Sequence, residues 1–144
     1  MTSAEPIDWE DAFATGVDEI DEQHRILINT LNGANNLLTD ASSLEVLNQI
    51  TKDLLSYALY HFETEEELMQ TSGYAEEQAE EARQHLSEHR SFSATVVSVR
   101  EKIQAGHRVP RDELLSFLNN WLVNHILQTD KKLGVFMTAK AAAH

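Results

Sequence analysis

Residues 84–92 read QHLSEHRSF. His85 and His89 stand four residues apart, and Phe92, Val96, Val99 and Ile103 continue the spacing downstream. Recurrence at three and four residues marks one face of an amphipathic helix. The two histidines therefore sit on the face the helix should bury. Burying a polar group without a partner costs about 1–3 kcal/mol, so something elsewhere in the chain has to satisfy them.

Working outward, the same rhythm recurs three more times. A first helix is expected from about Val17 to Thr39, with Ile20, His24, Leu27 and Leu31 on one stripe. A second runs from about Ser43 to Thr71 behind a Ser42/Glu45 capping-box pattern. Its stripe is Ile50, Leu54, Tyr57, His61, Glu65 and Leu68, and Gly73 is placed to terminate it. The third, carrying the opening stretch, runs from about Ala75 to Ala105 and ends at Gly106. The fourth follows Pro110 with Leu114, Leu118, Trp121 and His125 on its stripe and Leu115 and Leu122 beside it. Gly134 is read as its end.

Four such helices with short connections predict an all-α, up-down-up-down four-helix bundle over residues 17–133. Residues 1–16 form an extended N-terminal arm anchored by Trp9 and Phe13, and residues 134–144 a fraying tail. No strand alternation or internal repeat is visible.

Composition narrows the function. The chain has 144 residues, enough for one domain, with 42% apolar residues and a formal net charge of −13. An acidic surface disfavours nucleic acid and anionic membranes, which need clustered Lys and Arg. The absence of cysteine removes disulfides, thiolate catalysis and cysteine-held metal clusters. No apolar run approaches a membrane span or a secretory signal, so a soluble, cytoplasmic protein is expected.

All four helices point ionisable groups inward: His24, His61 with Glu65, His85 with His89, and His125. Five unpaired imidazoles and a carboxylate could exhaust the ~5–15 kcal/mol that holds a domain together. A metal resolves this, because neutral imidazole and carboxylate are good ligands. Asp130 follows His125 by five residues, too far round an ideal helix to share its face unless the helix ends or distorts there. Seven donors exceed one ion. Five imidazoles, two bridging carboxylates and one bridging oxide or hydroxide fill all but one of the positions around two octahedral ions. One open position in an apolar bundle suits a small ligand, dioxygen if the metal is iron.

These residues resemble the hemerythrin family, and specifically its single-domain bacterial members. The matching pieces are DEQH ending at His24, HFETEE from His61, HLSEH from His85 to His89, WLVNHILQTD from Trp121 to Asp130, and the arm segment WEDAFATGVDEIDEQH. A member of the family is itself a standard example of the up-down bundle. One interval departs from the family pattern. Glu65 to His85 is longer by about a turn, supplied by AEEQAEEARQ, which reads as an extra acidic turn or a longer loop.

The resemblance implies an oxo- or hydroxo-bridged centre of two iron ions that binds dioxygen reversibly. It implies that His85, His89 and His125 hold one iron, that His24 and His61 hold the other with the open site, and that Glu65 and Asp130 bridge. Leu27, Trp121 and Leu122 match positions expected to line the dioxygen pocket. The expected role is storage, delivery or sensing of dioxygen, without enzymatic turnover. The alternatives are a di-iron enzyme consuming dioxygen, peroxide or nitric oxide, and an oxygen- or redox-sensing module with a protein receiver. His107 and His144 lie outside the pattern, and ETEEELM and EEQAEEARQ read as solvated faces.

Overall fold

The computed structural model describes residues 7–39, 43–107 and 109–142. These are all-helical, with no strand among the described residues. The arm runs extended from Ile7, makes one 3-10 turn at Asp11–Phe13, and leads into α1, Asp18–Leu37. Next come α2, Leu44–Thr71; the one-turn α3, Tyr74–Glu77; and α4, Ala79–Gln104. The last span is continuous: α5, Arg111–Asn124, a π-turn at His125–Asp130, and α6, Lys131–Ala142. Short connections make the four long spans alternate in direction, as a bundle requires.

The helix ends follow local chemistry. The Asp21 carboxylate accepts from Thr15 N (2.8 Å), Thr15 Oγ1 (2.7 Å) and Gly16 N (3.3 Å), closing the arm onto the start of α1. Asp18, Glu19 and Asp21 in the first turn also suit the positive end of the helix dipole. Ser43 caps α2, its hydroxyl accepting from Val46 N at 3.2 Å. The expected capping residue, Ser42, lies outside the described residues. Gly73 and Gly106, at φ +85° and +90°, terminate α2 and α4 as expected.

Three expectations need correction. The third helix is not continuous from Ala75, because Gln78 leaves helical geometry at φ −124°, ψ 54°. The break turns Tyr74 back under the bundle, where its ring packs edge-on to Phe136 at 5.2 Å. Residues 75–84 are thus divided at Gln78 between the one-turn α3 and the start of α4. On α2, the buried stripe is centred on Leu47, Thr51, Leu54, Ala58, Phe62 and Met69. Ile50, Tyr57 and Leu68 are its half-buried flank.

The largest correction is at Gly134. It neither ends the helix nor starts a fraying tail: α6 continues to Ala142. Gly134 is buried, and a Cβ there would run into the Thr15 carbonyl oxygen and lie 2.6 Å from Thr15 Cβ. Glycine costs a helix interior about 1 kcal/mol; here it lets the arm cross the helix. Lys131 fastens the same crossing, donating to Ala12 O at 3.0 Å and Ala14 O at 2.9 Å.

The apolar interior forms two clusters. The larger includes Leu27, Leu31, Leu54, Phe62, Phe92, Leu118, Leu122 and Ile126. The smaller is Ile20, Met69, Tyr74, Ala82 and Leu133. On each long span at least one expected ligand falls between the two: His24 between Ile20 and Leu27, Glu65 between Phe62 and Met69, His85 between Ala82 and Phe92, Asp130 between Ile126 and Leu133. The polar layer is therefore sealed by apolar packing above and below. No helix among the described residues is long and apolar enough to cross a membrane.

Candidate metal centre

All seven expected ligands converge in that layer, each 3% exposed or less. His85 and His89 come together because one turn of α4 separates them, and His61 and Glu65 repeat this on α2. His125 and Asp130 come together because the π-turn closes over five residues instead of four.

The donor atoms form two groups. One comprises Glu65, His85, His89, His125 and Asp130; the other comprises His24, His61, Glu65 and Asp130. Three histidines fall in the first group and two in the second, and both carboxylates belong to each. Asp130 Oδ2 lies 2.7 Å from His24 Nε2, and its Oδ1 lies 3.0 Å from His85 Nε2 and 2.9 Å from His125 Nε2. Glu65 Oε1 lies 3.1 Å from His61 Nε2 and 3.2 Å from His89 Nε2.

These contacts are close without being hydrogen bonds. Both oxygens of Glu65 and of Asp130, and Nε2 of His24, His61 and His85, lack a hydrogen-bond partner among the described residues. Buried polar atoms are almost always paired. Neighbouring ligands at about 2.1 Å from one octahedral ion would lie roughly 3.0 Å apart, within the spread of these N···O distances. The donor set therefore fits a pair of cations.

The electrostatics agree. Burial favours neutral Glu65, but His61 and the other surrounding imidazoles hold its carboxyl well below the usual range. Burial and the Glu65 charge push Asp130 up, yet His125 and His24 outweigh them and hold it low. Burial lowers the imidazoles, but the two carboxylates win: His24 and His125 are raised, and His85 is pushed up to about 9. Two buried anions demand positive charge, and without a metal they draw it from protons on histidine.

A second ring of residues orients the first. His89 Nδ1 donates to Glu66 Oε2 (3.1 Å), and His125 Nδ1 to Glu88 Oε1 (2.9 Å). His61 Nδ1 donates to Gln23 Oε1 (2.7 Å), while Gln23 Nε2 donates to Thr64 Oγ1 (3.2 Å). A carboxylate or amide oxygen can only accept, so these bonds put the proton on Nδ1 and leave Nε2 for a metal. Phe62 stacks on His89 at 3.9 Å and Trp121 on His125 at 4.4 Å. Sequence reasoning missed Gln23, Phe62, Glu66 and Glu88. The available signal was adjacency, since each directly precedes or follows an expected ligand. Glu66 also corrects the reading of ETEEELM as wholly solvated.

Next to the polar layer is an apolar cavity of about 20 Å3, room for one small molecule. Leu27, Trp121 and Leu122 border it, with Ala58, Phe62 and Leu118. Tyr57 is not among its walls. His107 is exposed in the α4–α5 connection, and His144 lies outside the described residues.

Comparison with known proteins agrees with this geometry. Residues 15–135 match the family model of the hemerythrin HHE cation binding domain. A bacteriohemerythrin of Pseudomonas paraeruginosa is 35% identical over 125 residues, covering 85% of this chain and 75% of that one. A bacteriohemerythrin of Methylococcus capsulatus is 30% identical over 127 residues, covering 88% and 92%. A crystal structure of wild-type hemerythrin superposes with a TM-score of 0.79 at 28% identity, covering 92% of this chain and 98% of that one. A bundle whose four long spans deliver five histidines and two shared carboxylates to one buried layer thus has its relatives among the hemerythrins, and the chain belongs to the hemerythrin family.

Proposed function

We propose that this protein holds two iron ions and binds dioxygen reversibly at them. The observation that carries the reading is the division of the donors: three histidines on one side, two on the other, with Glu65 and Asp130 common to both. In this reading His85, His89 and His125 hold one iron, His24 and His61 the other, and the two carboxylates bridge. Two histidines against three would leave the second iron a ligand short, and the apolar cavity adjoins the same polar layer.

The iron pair, when bound, supplies electrons and the open position for dioxygen. This chain's own residues do the rest. Leu27, Trp121 and Leu122 keep water and its protons from the pocket, which favours release of dioxygen unchanged over loss as peroxide. Glu66, Glu88 and Gln23 hold three imidazoles in the ligating tautomer. With only two carboxylates in the donor set, high-valent iron is poorly stabilised, which supports binding over oxidation chemistry.

Anaerobic loading with Fe2+ followed by metal analysis tests the centre. Two irons per chain are expected, one for each donor group, with one dioxygen taken up per pair. A stable content of one iron, or uptake without the five histidines, would overturn it.

A further inference from the structure

The π-turn at His125–Asp130 is what lets Asp130 reach both donor groups. In regular α geometry two residues five apart lie about 140° apart around the axis, so Asp130 would face away from His125. π-turns are rare in helices and concentrate at functional sites, so this one needs something to hold it.

Glu88 meets that need from the neighbouring helix. Its Oε1 accepts from His125 Nδ1 at 2.9 Å and from Thr129 Oγ1 at 2.6 Å. These are the first and fifth residues of the six-residue turn. The other oxygen, Oε2, accepts from Gln84 Nε2 at 3.2 Å, one turn earlier on α4, which fixes the carboxylate in place. Glu88 also lies between His85 and His89 along α4, so the helix carrying these two ligands carries the pin for the two on the last span. We infer that Glu88 is a positioning residue that pins the π-turn through His125 and Thr129 and so sets the register presenting Asp130 to both halves of the centre.

This inference rests on the metal-binding reading above, and the test separates the two. The wild-type chain, Glu88→Ala, Glu88→Gln and Thr129→Val would be loaded anaerobically with Fe2+. Iron per chain and amide exchange of residues 125–130 would then be read on the same samples. Glu88→Ala should fall from two irons to one or fewer, with at least tenfold faster exchange confined to that segment. Glu88→Gln keeps an oxygen that accepts both bonds and should stay near wild type; Thr129→Val should fall between. Full iron and wild-type exchange in Glu88→Ala would overturn the inference, as would a Glu88→Gln variant that fails as badly as alanine. Should Glu88→Ala not fold, wild-type exchange and full iron in Thr129→Val would overturn it. A wild type that takes up no iron would sink the metal-binding reading alone, while the exchange rates would still judge the pin.

Discussion

Asp130 follows His125 by five residues, yet its Oδ1 lies 2.9 Å from His125 Nε2. One carboxylate thereby meets histidines from three of the four long spans: His24, His85 and His125. Glu65 meets those of α2 and α4. Metal binding and bundle assembly are therefore parts of one equilibrium, since a cation tied to these groups ties the helices together.

That linkage predicts the behaviour of His89→Ala. The change removes one donor and leaves Glu66 without its partner. Metal affinity should weaken by more than the ~10–100-fold typical of losing an outer partner, and the melting temperature should fall with it. Metal analysis and thermal melts on the same samples check this. Full iron content with unchanged melting would remove His89 from the centre.

The pocket wall makes a second prediction. Leu122→Ala opens the cavity without touching a donor atom. The oxygenated protein should decay to the oxidised form several-fold faster, while iron per chain stays at the wild-type level. Stability should drop by about 2–5 kcal/mol, as for other buried leucines. An unchanged decay rate would show that Leu122 does not guard the pocket.

The pH dependence of the metal-free chain should run opposite to that of the loaded one. Burial lowers His85, but the facing Asp130 and Glu65 carboxylates outweigh it and raise its pKa from 6.5 to about 9. A raised pKa in the folded state contributes stability that is fully present below pH 6.5 and lost as pH climbs to 9. The metal-free melting temperature should therefore fall across that window. Ligation requires neutral imidazole, so the advantage conferred by metal should grow over the same range. Melts at pH 6, 7.5 and 9, with and without metal, test both signs. A metal-free melting temperature that rises with pH would contradict the charge balance derived for the layer.

Gly134→Ala separates helix propensity from packing. In an exposed helix the change would stabilise by up to about 1 kcal/mol. Here the methyl meets Thr15, whose backbone is tied to Asp21, so overpacking should destabilise by about 1–3 kcal/mol. Urea unfolding measures the sign, and a stabilised variant would mean that the arm does not cross the helix there.

Most of the bundle, and the seven side chains that converge in its polar layer, could be read from the sequence, because burial imposes a period and the histidines break the apolar rule at that period. His24, His61, His85, His89 and His125 betray themselves in this way, and Asp130 does so only once a distortion is allowed. What was hidden depended on contacts between distant segments. Gly134 resembles a helix stop until the arm is laid across it. Gln78 sits in a run of good helix formers, so nothing local announces the break that Tyr74's burial demands. Glu66 and Glu88 lie on the flanks of their helices and look solvated, since periodicity records where a Cβ points and not how far a carboxylate reaches.

The most direct test of the account is a visible absorption spectrum of the iron-loaded protein, reduced anaerobically, exposed to dioxygen and then purged. Reversible binding predicts a charge-transfer band that appears with dioxygen and disappears on purging, over repeated cycles. One-way conversion to an oxidised spectrum, with peroxide released or reductant consumed at each cycle, would contradict it and point to turnover instead.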